Sequence, residues 1–273
     1  MFSQDMAQKA AENLRCVRER RPLVHNITNY VVMNYTANAL LACGASPVMA
    51  HAVEEVEEMV SLAGALVLNI GTLSLPWIEA MLRAGRRANE LHVPVIVDPV
   101  GAGATRLRTD SAKRLIEDLS IDVIRGNASE ILSLTEEKSG AGTKGVDSVH
   151  TVDQVTEIAM VLARELRTTL AITGVVDLIT DGERVCRVMN GHAMMSSVTG
   201  TGCTATAIIG AFLAVCQNPL EAATTGLSYF GLAGEKAAAR AFGFGPGSFQ
   251  IALLDALYMM KEEELREGAK IQG

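Results

Sequence analysis

The chain has 273 residues, enough for one large α/β domain or two smaller ones, and its 49% hydrophobic and 20% charged content supports a sizeable buried core. A formal charge of −7 and a pI near 5.3 exclude the basic footprint of a nucleic-acid binder, and 4% aromatic residues leave few platforms on which bases could stack. The first twenty residues are polar and the longest apolar run, around 204–216, is short and Thr-rich, so neither an export signal nor a membrane span is predicted.

In chain order, residues 3–20 predict a charged amphipathic helix, 23–26 a short strand, 30–43 a helix and 46–49 another short strand. A helix over 53–62 carries acidic residues on its outer face, and 65–70 is an apolar strand of the kind buried in a parallel sheet. Helix 76–91 starts with Pro76 in its first turn, strand 93–97 runs into Asp98-Pro99-Val100-Gly101, and helix 109–119 leads to strand 122–125. Helix 152–167 and strand 169–174 precede a hairpin over 177–188, whose Asp181-Gly182 marks the turn. The remainder is helical, broken at Asn218-Pro219 and at 243–247. Strand–helix alternation from 65 to 174 implies a mostly parallel sheet with helices on both faces, and one domain spanning 1–273 is the simpler organisation.

In such a sheet, ligands sit outside the carboxyl ends of the strands. Those ends are polar here: Asn26 and Thr28, Met49 and His51, Asn69 with Gly71-Thr72, Asp98, Arg125 with Asn127 and Glu130, and Thr173-Gly174. Taken singly, Asp98 could cap a turn before Pro99, and Asn127 could cap a helix holding Glu130. Carboxylates, a cation and hydroxyls at consecutive strand ends suit a magnesium–nucleotide site.

The most informative stretch is Ser197-Val198-Thr199-Gly200-Thr201-Gly202-Cys203, running into a small-residue helical segment. It places free N–H groups and the positive end of a helix dipole around a spot fit for an anion such as a phosphate. Cys203, at the mouth of that helix, is expected to ionise more easily than a thiol in water. Gly200-Thr201-Gly202-Cys203-Thr204-Ala205 also fits the G-x-G-x-x-A form of a dinucleotide fingerprint, and a glycine pair can serve close helix packing alone. A dinucleotide enzyme needs an acidic residue about twenty positions on, after another strand. Glu221 is near that distance but follows a helix.

The runs His25-Asn26-Ile27-Thr28-Asn29-Tyr30-Val31-Val32, Asp98-Pro99-Val100-Gly101-Ala102, Arg125-Gly126-Asn127-Ala128-Ser129-Glu130 and Thr199-Gly200-Thr201-Gly202-Cys203 resemble those of the hydroxyethylthiazole kinases, in the ribokinase-like superfamily. The resemblance covers about residues 20 to 265. It implies ATP-dependent phosphorylation of the hydroxyl of 4-methyl-5-(2-hydroxyethyl)thiazole in thiamine salvage, with Mg²⁺ and a homotrimer whose substrate sites lie near subunit boundaries. By the same resemblance Gly200, Thr201 and Gly202 hold the γ-phosphate, Asp98 and Glu130 order Mg²⁺ and its waters, and Arg125, Thr173 and Asn127 contact ATP. Met49, Gly200 and Asn26 fall on the thiazole side, and Cys203 stands where many sugar kinases of the superfamily have an Asp base.

A kinase of another small heterocyclic alcohol, a Rossmann-type oxidoreductase and a non-catalytic nucleotide-binding protein remain as alternatives. His192 reads as a turn residue, Met189, Met194 and Met195 as packing, and Cys16, Cys43, Cys186 and Cys216 as small core residues. The five cysteines are odd in number and widely spaced, which predicts free thiols and a cytoplasmic protein. The Asn-x-Ser/Thr matches at Asn26, Asn34 and Asn127 are then chance.

Overall fold

Short apolar runs that can bury both faces become strands, and the amphipathic segments between them cover those faces. The computed structural model describes residues 2–135 and 152–273. Its described strands are β1 (Leu23–Ile27), β2 (Ser46–Val48), β3 (Ala65–Asn69), β4 (Val95–Asp98), β5 (Val123–Asn127), β6 (Thr169–Thr173), β7 (Asp177–Thr180), β8 (Val185–Val188) and β9 (Ile271–Gln272). They form one sheet in the order β2-β1-β3-β4-β5-β6-β7-β8-β9. Pairing is parallel from β2 through β6 and antiparallel from β6 to β9.

Alternation along β3 divides the core. Leu66 and Leu68 point into a layer shared with Trp77, Met81, Leu115 and Leu162, whereas Val67 points into the layer of Leu14, Leu40, Phe212, Tyr229 and Phe249. The first layer is covered by α4 (Leu75–Glu90), α5 (Arg106–Asp118) and α7 (Val152–Leu166). The second belongs to α1 (Phe2–Arg20), α2 (Met33–Cys43), α8 (Thr201–Leu213), α9 (Pro219–Arg240) and α10 (Pro246–Met259). The expected mostly parallel sheet with helices on both faces is present.

Several boundaries move for identifiable reasons. The strand expected at 93–97 begins at Val95, because Pro94 has no N–H to donate to a central ladder. α5 starts at Arg106, where the Thr105 side chain accepts from the Arg108 N–H at 3.4 Å. Of the helix expected over 53–62, only α3 (Val56–Val60) forms. α6 (Ala128–Leu132) is set by a capping box between Asn127 and Glu130. The C-terminal segment, expected to be helical, adds α11 (Glu262–Gly268) and then β9, whose pairing closes the β8 edge. Cys43 and Cys186 are buried as expected, but Cys16 and Cys216 are only half-buried.

Candidate active site

The chain leaves β1 for β2 on one side and returns through β3 on the other, so the strand order reverses between β1 and β3. At such a switch point the two following loops diverge and open a crevice at the carboxyl ends. Asn69, ending β3, is buried and carries three hydrogen bonds. Its Nδ2 donates to Asp98 Oδ2 at 2.9 Å, while its Oδ1 accepts from Asn29 Nδ2 at 2.8 Å and from the Gly71 N–H at 3.0 Å. Asn29 Nδ2 also lies 3.4 Å from Cys203 Sγ, so a run of side-chain amides joins Asp98 to the thiol. Gly71 has to be glycine for this, since a Cβ there would fall 2.6 Å from Asn29 Nδ2.

Asp98, the last residue of β4, is fully buried, and its Oδ2 also accepts from Thr206 Oγ1 at 2.7 Å. Arg125 Nη1 stands 3.7 Å from the same oxygen. Burial pushes the Asp98 carboxyl up to about 6, against the pull of Arg125 and the Thr206 hydrogen bond. Its Oδ1 is buried without a protein partner. Such an oxygen is costly to leave unpaired.

α8 begins here. Its N-cap, Gly200, has φ +85°, and a Cβ at that position would strike Val32. No side chain caps this end, so the first-turn N–H groups have no helical partner and face outward with the dipole behind them. A Cβ on Gly202 would come within 2.7 Å of Arg125 Nη1, so the second glycine lets the guanidinium lie against the helix start. Arg125 Nη2 donates to Thr173 Oγ1 at 2.5 Å, linking β5 to β6. Arg125, Thr173, Asp177, Thr201 and Gly202 line one wall of a cavity of about 650 Å³. Apolar side chains of α9, Leu227 and Phe230, line another.

Three residues of that cavity, His192, Met195 and Asp177, were not expected there from the sequence. His192 takes part in a turn, its Nδ1 accepting from the Met194 N–H at 3.1 Å, but it also lines the cavity, as does Met195. Asp177 follows the β6–β7 turn, and burial raises its carboxyl to about 6. A polar residue at the start of a hairpin strand gives no signal that it will face the end of a parallel strand.

Glu130 and Asn127 take the capping role open to them in the sequence. Asn127 Oδ1 accepts from the Glu130 N–H at 2.9 Å, and Glu130 Oε2 accepts from the Asn127 N–H at 2.8 Å. Glu130 Oε1 accepts from the Gly101 N–H at 2.8 Å, which ties the loop after Asp98 to α6. Among the described residues no three His, Cys, Asp or Glu side chains gather closely enough to hold a metal ion by themselves. Met49 follows β2, and its carbonyl oxygen lies 3.1 Å from Nδ1 of His51, which stacks on Trp77 at 4.2 Å; Tyr30 lies 4.7 Å from Trp77. Asn26 is fully buried in β1, with its Nδ2 donating to Val24 O at 2.8 Å and its Oδ1 unpartnered; it does not line the cavity.

The expectation for the Cys203 thiol is reversed. Burial and the nearby Asp98 charge raise its pKa, and the hydrogen bonds from Asn69 and Asn29 only partly oppose them. The helix end favours a thiolate, but here desolvation beside a carboxylate is the larger effect.

A helix start with free N–H groups, beside a buried carboxylate and a fixed guanidinium at adjacent strand ends, suits phosphoryl transfer. The sequence profile of the Hydroxyethylthiazole kinase family matches residues 14–263, most of the chain. The chain belongs to the hydroxyethylthiazole kinase family. A hydroxyethylthiazole kinase of Desulfotalea psychrophila is 62% identical over 263 residues, covering 96% of this chain and 95% of that protein. One of Moorella thermoacetica is 53% identical over 265 residues, covering 97% and 98%. The solved structure of hydroxyethylthiazole kinase from Pyrococcus horikoshii OT3 superposes with a TM-score of 0.88 at 49% identity, covering 96% of this chain and 98% of that one. A ribokinase-like superfamily protein from Enterococcus faecalis, 14% identical with a TM-score of 0.65, shares the fold. As a member of the hydroxyethylthiazole kinase family the chain is a kinase of the ribokinase-like fold.

Proposed function

We propose that this chain transfers the γ-phosphoryl group of ATP to the hydroxyl of 4-methyl-5-(2-hydroxyethyl)thiazole, giving the thiazole phosphate, ADP and a proton, as in thiamine salvage. The observation that carries this reading is the uncapped start of α8, set between the cavity at β5–β6 and the crevice at β1–β3. The phosphates enter from the cavity side, where Arg125 and Thr173 sit and Asn127 ends β5. Backbone N–H groups of Thr201, Gly202 and their neighbours hold the transferred group and its developing charge. The alcohol comes from the crevice side, where Gly200 packs on Val32 and the Met49 carbonyl oxygen lies against His51. Met49 offers a soft thioether to the sulfur heterocycle. Asn26 supports that wall from within β1.

Cys203 stands at the junction of the two sides, where it accepts the hydroxyl proton as the phosphoryl group is transferred. Its raised pKa leaves little of the thiolate form needed to accept that proton, so positioning and charge stabilisation supply most of the rate. The donor set fits Mg²⁺ bound through water. Asp98 Oδ1 is an unpartnered hard oxygen, and the Glu130 carboxylate lies within electrostatic reach of Asp98. Asp98 and Glu130 would hold the ion, which when bound neutralises charge on the β- and γ-phosphates.

A homotrimer and a cytoplasmic location complete the reading. Phe242, Phe244, Ile251 and Tyr258 expose 87%, 67%, 67% and 73% of their surface in and before α10, more than a monomer usually leaves wet in one region. Among the described residues no helix is long and apolar enough to cross a membrane. The test is ATP- and Mg²⁺-dependent ADP release with and without the thiazole, the product being weighed by mass spectrometry and the assembly by sedimentation. Thiazole-dependent release with a product one phosphoryl group heavier is expected. ATP binding with no thiazole effect would transfer the reading to another heterocyclic alcohol, such as pyridoxal.

A further inference from the structure

Arg108 lies in the first turn of α5, after the Asp98 loop, and does not line the cavity. Its guanidinium turns back over that loop. Nη1 donates to Val100 O at 2.7 Å and to Ile70 O at 3.1 Å, and Nη2 donates to Gly71 O at 2.7 Å. Val100 follows β4, whereas Ile70 and Gly71 follow β3. Three carbonyl oxygens from two separate loops therefore converge on one cation. Without it, their negative ends would face one another in a partly buried space with too few donors.

The loop is shaped around this side chain. Gly101 has φ +73°, and a Cβ there would come within 3.1 Å of Arg108 Cδ and 3.3 Å of Nη1. The same residue's N–H donates to Glu130 Oε1. At the other end of the fork, the Gly71 N–H donates to Asn69 Oδ1, and Asn69 donates to Asp98 Oδ2. Each end is thus separated by one or two hydrogen bonds from a carboxylate assigned above to the reaction.

We propose that Arg108 is a positioning residue for phosphoryl transfer: its guanidinium locks the loops after β3 and β4 together, fixing Asp98 and Glu130 relative to each other. The proposal rests on the kinase reading given above. Arginine is required by shape, because a lysine ammonium is a single point and cannot serve three carbonyls with a planar fork.

The test is Arg108→Ala with and without ethylguanidinium at tens of millimolar, compared with Arg108→Lys. Displacement of the two loops by an ångström lowers kcat about a hundredfold, while KM for the thiazole changes less than about threefold. Ethylguanidinium restores at least about tenfold of the lost kcat, and Arg108→Lys recovers less than the added cation does. Independently of activity, amide hydrogen exchange in the segments 69–75 and 99–105 speeds up about tenfold in Arg108→Ala and slows again with ethylguanidinium. A kcat within threefold of wild type, failure of ethylguanidinium to restore it, or unchanged exchange in both segments overturns the proposal. If the wild-type chain does not phosphorylate the thiazole, the functional reading fails, and exchange alone decides whether the clamp exists. Should Arg108→Ala not fold, Arg108→Lys carries the same measurements: faster exchange in the two segments supports the clamp, and wild-type exchange and kcat overturn it.

Discussion

Cys203 is half-buried, receives a hydrogen bond from Asn29 and shares its surroundings with the Asp98 charge. A thiol whose ionisation is opposed in this way makes a limited contribution as a base. Cys203→Ser is therefore expected to keep measurable thiazole-dependent turnover. Arg125→Ala and Glu130→Ala lower kcat/KM by about 10²–10³, the scale for removing a preorganised charge from a transition state. Steady-state kinetics at saturating ATP checks both. Complete loss in Cys203→Ser, with ATP binding and fold intact, would make the thiol essential.

Asp177 allows a test in pH. Its folded-state pKa is raised to about 6 by burial, partly offset by the Gly174 N–H and by Arg125. Between its unfolded value near 4 and about 6, the folded chain binds the proton more strongly than the unfolded chain, so this residue's contribution to stability falls as pH rises through that window. Asp177→Asn keeps an acceptor for Gly174 and does not titrate. Relative to wild type it should gain stability from pH 4 to pH 7, by up to about 2 kcal/mol after solvent screening is allowed for. Urea titrations at the two pH values measure this, and a difference that stays flat or shrinks contradicts it.

At the scale of elements, the start of α8 carries the most information. The sequence reads correctly that two glycines open a helix with unpaired N–H groups, because glycine, small residues and a helical run are local signals. It does not read that Gly202 makes room for Arg125, a residue 77 positions earlier in the numbering. Gly202→Ala should displace the guanidinium from Thr173 and the helix start, weakening ATP binding about tenfold or more with little change in thermal stability. Calorimetric titration with ATP reports the first and differential scanning the second. The α6 capping box was readable as a possibility in Asn127-Ala128-Ser129-Glu130, yet its second purpose, fixing the Gly101 loop, depends on β4 and β5 being neighbours.

For the whole molecule, the C-terminal segment shows how far local patterning reaches. Lys270-Ile271-Gln272 has no alternation long enough to predict a strand, but β8 presents an open edge and β9 fills it. Ile271 is buried, the Met189 N–H donates to Lys270 O at 2.9 Å, and Asn190 Oδ1 accepts from the Lys270 N–H at 2.8 Å. Asn190 and Gly191 line the cavity. Truncation after Ala269 should therefore lower stability by about 2–3 kcal/mol, from one buried Ile and a few hydrogen bonds. It should also raise KM for ATP several-fold, as read from thermal melts and kinetics.

The amino-acid sequence by itself determined the α/β class, the order of buried strands and covering helices, the polar strand ends and the glycines that open α8. These follow from hydrophobic period, turn chemistry and capping, which act over a few residues. The family, too, was legible in four motifs spread along the chain. Only the tertiary structure decided which strand ends are neighbours, and hence that Asn29 and Asn69 link Asp98 to Cys203 and that Arg108 joins two loops. It also decided the sign of the Cys203 shift, because desolvation and Coulomb interactions depend on distance and burial in space, and neither is encoded in the spacing of residues along the chain.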